Sequence, residues 1–123
     1  MQLATLDGTY KVVKLEANAE VPSAVYQSDF FSVTKTEDEL SVVIRSEVPV
    51  NSNDSEDGWK VIKIEGILDF SMVGVISKIS NILAVNGISI FVVSTYNTDY
   101  ILVKHGVLAK AIDLLDANGY LFS

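Results

Sequence analysis

Two polar segments in the second half of the chain could together bind a small molecule. The first is Asp69-Phe70-Ser71 with Gly74, which places a carboxylate, a hydroxyl and a glycine just before a predicted helix. The first turn of a helix leaves N–H groups unpaired and partly positive, so a carboxylate can dock there without an arginine or lysine. Gly74, lacking a side chain, allows close approach to the backbone. A plain capping role is the alternative, because Asp and Ser are common before helices.

The second polar segment, Ser94–Asp99, follows an apolar strand and predicts a hairpin turn. Asp69 and Asp99 flank the proposed pocket and are the candidates for an acid/base pair. The single histidine, His105, is expected at the surface near the start of a second helix. The sequence has no nucleophile elbow, no phosphate-binding loop and no histidine pair with metal-ligand spacing. We therefore predict no catalytic residue, metal or cofactor, and a protein that is not an enzyme.

Composition excludes several other classes of function. The 123 residues are 49% hydrophobic and 20% charged, which is typical of an ordered protein with one compact domain or two small dependent ones. Sixteen acidic against nine basic residues give a net charge of −7, which repels nucleic acid and anionic membrane surfaces. There is no cysteine, no signal-peptide pattern and no apolar run approaching the roughly 20 residues that span a bilayer. We expect a cytoplasmic protein.

Charge and turn-forming residues divide the chain. Residues 1–60 carry eleven acidic and five basic side chains, net −6, whereas residues 61–123 carry five and four, net −1. The polar segment Asn51–Gly58 is rich in turn formers and predicts a loop between two modules.

The first half shows β-strand signals. Thr9–Leu15 is β-prone, and Phe30–Lys35 and Leu40–Arg45 flank the polar turn Thr36–Glu39 as in a hairpin. We interpret that turn as solvated, because its spacing does not suit a calcium loop. Val21–Ser28 predicts one or two helical turns, since proline is tolerated where helices begin.

The second half predicts the order β-α-β-β-α-β. Trp59–Glu65 resembles a strand with one buried face, and apolar residues spaced three and four apart from Met72 to Leu83 predict an amphipathic helix that ends at Asn86-Gly87. Ile88–Val93 is nearly all apolar and predicts a central, covered strand. The remaining elements are a returning strand over Tyr100–Val103, a helix through Leu108, Ala111, Ile112 and Leu115 that stops at Gly119, and a short edge strand over Tyr120–Phe122.

These residues resemble a known family. The β-α-β-β-α-β order is that of the ferredoxin-like α+β fold, with helices on one face of an antiparallel sheet. Asp69–Val75 and Asn86–Ile90 resemble the first loop and the helix-to-strand link of the ACT domain, a small ligand-binding regulatory module. Together with Ser94–Tyr100, they are similar to small bacterial tandem ACT-like proteins and, more distantly, to the CASTOR-type amino-acid sensors of animals. The resemblance implies an ACT domain at 59–123 after a degenerate ACT-like unit at 1–58.

The resemblance also implies an amino-acid site between ACT-like units. The ligand carboxylate would meet backbone N–H groups around Met72–Val75 and the Ser71 hydroxyl, while Asp99 and Thr95 would face the ammonium group or a polar side chain. Asp69 has either a ligand role or a structural one. The chain lacks the proline usual in this loop. The implied ligand-binding residues are Asp69, Ser71, Met72, Val73, Gly74, Val75, Thr95, Tyr96, Asn97 and Asp99.

The binding free energy needed per ligand atom indicates an enclosed site. Micromolar binding of a ligand with roughly ten heavy atoms needs nearly 0.8 kcal/mol per atom, whereas an exposed helix terminus supplies only about 0.3–1 kcal/mol. A second unit must therefore close over the ligand, in an intramolecular pair of units or in a homodimer. A regulatory amino-acid sensor is the predicted function, with an unidentified protein partner. The alternatives are a protein interaction module without a ligand and a small enzyme using Asp69 and Asp99.

Overall fold

A computed structural model describes residues 1–67 and 73–123 of the chain. Within these residues, short strands alternate with two α-helices and two 3-10 segments. The strands are β1 (Gln2–Thr5), β2 (Tyr10–Leu15), β3 (Ser32–Lys35), β4 (Leu40–Arg45), β5 (Ser55–Ile64), β6 (Phe91–Ser94), β7 (Asp99–Lys104) and β8 (Leu121–Phe122). The helices are α1 (Val75–Ala84) and α2 (Leu108–Ala117), and the 3-10 segments are Ser23–Gln27 and His105–Val107.

The chain divides into two compact units. The N-terminal unit is Gly8–Trp59, and the C-terminal unit joins Met1–Asp7 to Lys60–Ser123. Strand β5 contributes residues to both units. Strand β1 was not predicted from the sequence; it lies in the C-terminal unit because it pairs antiparallel with β5 and parallel with β8.

The C-terminal unit has the predicted ferredoxin-like order, with β1 added to its sheet. The strands lie in the order β8, β1, β5, β7, β6. Leu3 is opposite Ile64 in the β1–β5 pair, and Gln2 is opposite Leu121 in the β1–β8 pair. Both helices cover one face of this sheet, as predicted, since side chains from helices and strands form a single buried cluster. Its members are Leu3, Ile62, Ile64, Ile79, Leu83, Ile88, Ile101, Val103, Ala111 and Leu115.

Helix α1 ends where the sequence predicts, but the next strand differs from expectation. Gly87 has φ of 76°, and the Ile88 N–H donates to the Leu83 carbonyl at 3.0 Å, which is the hydrogen-bond pattern of a Schellman cap. The predicted central strand Ile88–Val93 was wrong in two respects. Strand β6 starts at Phe91, and among the described residues it pairs only with β7, with alternate side chains exposed. Ile88 is apolar because it packs in the helix-covered core.

The N-terminal unit is built from β3, β4, β2 and the first half of β5, in that order. The predicted β3–β4 hairpin is confirmed, with Lys35 opposite Leu40. The predicted loop Asn51–Gly58 is correct only in its first half, because Ser55–Gly58 already belong to β5. The 3-10 segment contributes Val25 to a small core. That core also contains Val13, Val42, Ile44 and Val50.

Candidate functional site

Several chain segments begin or end at the same end of the strands in the C-terminal sheet, and this end is called the edge of the sheet below. Strand β5 ends there at Ile64, β1 and β8 begin there, and the hairpin between β6 and β7 closes there with Ser94 opposite Asp99. The Thr98 hydroxyl donates to the Ile64 carbonyl at 2.7 Å, which places the hairpin turn against the end of β5. This edge therefore holds the second polar segment, Ser94–Asp99; of the first polar segment, the structure describes only Gly74.

The first turn of α1 presents backbone donors at this edge. Gly74 is the N-cap residue, with φ of 79° and ψ of 0°, and it provides no side-chain acceptor for the helix. Its carbonyl accepts from the Lys78 N–H at 2.9 Å, which starts the helical ladder. The first turn of α1 contains no acidic residue. The N–H groups of this turn, with the positive end of the helix dipole, suit an anionic group of a ligand.

A cavity of about 290 Å³ adjoins this turn. Its volume is at the small end of the range for ligand pockets, roughly 300–1,000 Å³. A cationic residue, Lys78, and an aromatic residue, Tyr120, are among those that adjoin it. The residues that line it are Met1, Val73, Gly74, Val75, Lys78, Asn118, Gly119 and Tyr120.

The β6–β7 hairpin supplies the negative group of this edge. The Ser94 hydroxyl donates to Asp99 Oδ1 at 2.5 Å, which orients the carboxylate. The Thr95 hydroxyl donates to the Thr98 carbonyl at 3.0 Å and accepts from the Thr98 N–H at 3.3 Å. Thr95, predicted to face a ligand, therefore uses its hydroxyl to close its own turn. Tyr96 and Asn97 are exposed at the tip.

The structure brings some of the predicted residues together and separates others. Val73, Gly74 and Val75 line the cavity, whereas the hairpin residues lie at the same edge of the sheet but are not part of its described lining. Asp69, Ser71 and Met72 lie outside the described residues.

Sequence reasoning missed two kinds of residue. Lys78 follows Gly74 by one helical turn, so helical spacing alone could have found it. Asn118, Gly119 and Tyr120 reach the cavity only through the packing of α2 and β8, and no local pattern indicates them.

Thr98 was also missed. It is only 5% exposed, the single buried residue of polar type within the described part of the chain. Its hydroxyl holds the hairpin rather than a ligand.

Residues 1–67 and 73–123 were also searched for a metal site, a histidine-based site and a membrane-spanning helix. No group of three or more His, Cys, Asp or Glu side chains there could hold a metal ion. His105 is exposed at the start of the second 3-10 segment, where the sequence placed it. None of the helices in this part of the chain is long and apolar enough to cross a membrane.

Comparison with protein families matches both parts of the chain. Residues 54–117 match the model of the ACT domain. Residues 8–51 match a second family model, which is described as an N-terminal domain.

Individual relatives show the same fold. A crystal structure of a protein from Agrobacterium tumefaciens is 34% identical, with a TM-score of 0.89 over 99% of this chain and 91% of that one. A Vibrio cholerae protein described as a possible transport protein is 18% identical, with a TM-score of 0.70 over 92% of this chain and 85% of that one. A structure of aspartokinase alpha and beta subunits is 17% identical, with a TM-score of 0.64 over 95% and 96%. These last two matches show the fold alone.

The mouse protein named cytosolic arginine sensor for mTORC1 subunit 1 is 29% identical over 94 residues. The match covers 70% of this chain and 28% of the mouse protein, so the chain spans less than a third of that relative's length.

Proposed function

Because the chain belongs to the ACT domain family, we propose that it is a regulatory protein that binds an amino acid, or a similar metabolite, at the edge of its C-terminal unit. The observation that carries this proposal is the first turn of α1. Its N-cap is a glycine without a side-chain acceptor, and a cavity of about 290 Å³ lies beside it. Because the N-cap residue has no side chain to accept from the N–H groups of this turn, these groups suit an anionic group of a ligand.

The two polar segments suit the two poles of an amino acid. The ligand carboxylate would accept from N–H groups around Gly74 and Val75, with the Lys78 ammonium adding a charge-assisted contact. Asp99 would pair with the ligand ammonium or with a cationic side chain. The other residues of the proposed set are Asp69, Ser71, Met72, Val73, Thr95, Tyr96 and Asn97.

A second copy of the chain would close this site. Large apolar side chains at this edge are exposed, with Val73 at 90%, Ile67 at 77% and Leu121 at 62%. Apolar groups that lie near one another at a surface mark places where a partner binds. Closing the cavity would also supply the enclosure that micromolar affinity for a small ligand requires. We therefore include a homodimer in the proposal.

The remaining parts of the proposal concern organisation and role. Residues 1–58 would be a degenerate ACT-like unit before the ACT domain at 59–123, and the separate family matches support a division near this point. The protein would be cytoplasmic and would not catalyse a reaction. Its interaction with a protein partner would depend on whether the ligand is bound.

Thermal melting against the twenty amino acids at millimolar concentration tests the proposal. L-Arginine is the first probe because the mouse relative is named an arginine sensor. Ligand at a hundred times its dissociation constant stabilises by about 2.7 kcal/mol, which is a shift of several degrees in a domain of this size. A selective shift supports the sensor. No shift with any amino acid contradicts it and favours an interaction module.

A pair of lysine variants sharpens the test. Lys78→Ala removes the ammonium group beside the cavity, whereas Lys110→Ala removes an equal charge from α2, where Lys110 donates to the Asn86 carbonyl at 3.2 Å. We expect the first variant to reduce the ligand-induced shift and the second to leave it unchanged. Equal losses would assign the effect to overall charge and would remove Lys78 from the site.

A further inference from the structure

Thr98 makes a hydrogen bond that leaves its own hairpin. Its hydroxyl reaches the carbonyl of Ile64, a residue 34 positions earlier in the chain, at 2.7 Å. The side chain is 5% exposed, so its hydroxyl has little access to water. A buried hydroxyl that loses its partner carries the full desolvation penalty, which holds the hairpin in the position where this bond forms.

The hairpin does not need this bond to form its turn. The Thr95 N–H donates to the Thr98 carbonyl at 2.9 Å, and the Thr95 hydroxyl bonds both the carbonyl and the N–H of Thr98. These contacts close the turn from within. The Thr98 side chain is therefore used for a second purpose, which is to attach the closed turn to β5.

The acceptor lies where β5 leads toward the proposed site. Ile64 is the last residue of β5 and is fully buried. The next residue, Glu65, donates its N–H to the Gln2 carbonyl at 2.9 Å, and Met1 beside Gln2 lines the cavity. Gly66, two residues after Ile64, has φ of 89°. The bond from the hairpin to Ile64 thus lies one residue before the bond that joins Glu65 to β1.

We propose that Thr98 is a positioning residue whose hydroxyl couples the β6–β7 hairpin to the end of β5, so that both poles of the ligand site are held at one spacing. The coupling rests on the proposed function, because the hairpin and the first turn of α1 are the two halves of that site. Thr98 itself does not contact the ligand; it acts through the position of Asp99, the next residue.

Amide hydrogen exchange on ligand-free protein tests this coupling independently of any ligand. Thr98→Val removes the hydroxyl and keeps the branched shape, and Thr98→Ser keeps the hydroxyl. Thr95→Val is the matched control, because among the described residues the Thr95 hydroxyl bonds to Thr98 of its own turn. The reporters are the amides of Glu65 and Lys78, which donate to Gln2 and Gly74. The amide of Thr36 in the N-terminal unit is the internal reference.

In Thr98→Val, exchange should rise about tenfold at Glu65 and should also rise at Lys78, with Thr36 unchanged. Thr98→Ser should behave like the original protein, and Thr95→Val should raise exchange only within Thr95–Thr98. A rise confined to the hairpin in Thr98→Val would overturn the proposal. An equal rise at Glu65 in the Thr95 variant, or no rescue by serine, would also overturn it.

If Thr98→Val does not fold, the unsubstituted protein provides the test. In native-state exchange under increasing urea, the amides of Thr95 and Glu65 should become accessible in one opening event, because one bond links them. Separate openings would contradict the coupling.

Binding of L-arginine, measured by calorimetry, is the second arm: Thr98→Val should weaken it about tenfold and Thr98→Ser should restore it. If the original protein does not bind L-arginine, then L-arginine is not its ligand. The hydrogen-exchange result still tests whether Thr98 couples the hairpin to β5.

Discussion

The β3–β4 and β6–β7 hairpins close with the same hydrogen bonds but are held in place differently. In the β3–β4 turn, the Thr36 N–H donates to the Glu39 carbonyl at 2.9 Å, and the Thr36 hydroxyl accepts from the Glu39 N–H at 3.1 Å. In the β6–β7 turn, Thr95 makes the corresponding bonds to Thr98 at 2.9 and 3.3 Å. The fourth residue makes the difference. Glu39 is a charged, half-buried residue, whereas Thr98 is buried and bonds to β5.

This comparison separates local from tertiary determinants. A threonine at the first position of a turn can bond its own backbone two or three residues on, whatever the rest of the chain does. The use of the fourth side chain depends on which strand passes beneath it. One turn therefore remains a solvated connection, and the other becomes a fixed part of the candidate site.

The largest difference between the two hairpins is expected when the residue at the fourth position of each turn, Thr98 or Glu39, is replaced by the other type. Thr98→Glu places a carboxylate in a buried position with a carbonyl as its neighbour, and we expect a loss of about 3–5 kcal/mol in the free energy of unfolding. Glu39→Thr should change stability by no more than about 1 kcal/mol, because the Glu39 side chain is only half-buried and the substitution buries no new charge. Urea denaturation followed by circular dichroism measures both. Similar losses in the two variants would show that the turns are equivalent.

A pair of aspartate variants tests function in the same way. Each unit contains a serine that donates to an aspartate at 2.5 Å, Ser46 to Asp57 and Ser94 to Asp99. Asp99→Ala should weaken amino-acid binding by about tenfold or more, since a charged hydrogen bond contributes about 1.5–3 kcal/mol. Asp57→Ala should leave the dissociation constant unchanged. Calorimetry with L-arginine, or with the amino acid that melting identifies, decides whether Asp99 belongs to the site.

Loss of the turn-closing hydroxyl should affect both hairpins alike. Thr36→Ala and Thr95→Ala each remove one side-chain acceptor at an exposed turn. We expect each to lower the free energy of unfolding by about 0.5–1 kcal/mol, because a net hydrogen bond of this kind contributes about 1 kcal/mol. Denaturant midpoints measured side by side test the equivalence. A much larger loss for Thr36 would mean that its turn also has a tertiary role.

The smallest expected effect is a pH dependence in the N-terminal unit. Burial raises the pKa of the Tyr10 phenol above its usual value of 10.0, against the opposing influence of Arg45. The folded state therefore holds this proton more tightly than the unfolded state. The associated stability is complete below the unfolded pKa and declines as pH rises through the folded one. Tyr10→Phe should show a smaller decline between pH 9 and pH 11 in urea denaturation. Identical declines would rule out Tyr10 as the cause.

Periodicity was sufficient for the main elements of the C-terminal unit. The spacing of Ile76, Ile79 and Leu83 predicted α1, and the glycine at 87 predicted its end, because both signals are local. Strand β1 escaped prediction because it is short and is stabilised by pairing with β5 and β8, which lie far away in sequence. The extent of β6 was misjudged for a related reason: the apolar character of Ile88 reports burial against the helices and not a strand.

Local sequence signals were enough to predict the β-α-β-β-α-β order, the C-terminal end of α1, the positions of both hairpin turns and the resemblance to the ACT family. Each of these depends on residues within a few positions of one another or on a pattern along one element. By contrast, two findings came from the three-dimensional structure: Met1, Lys78 and Tyr120 line one cavity, and Thr98 bonds to Ile64. Such contacts depend on which strands become neighbours in a sheet. The arrangement of neighbouring strands in turn depends on how the apolar side chains of the whole core are buried together.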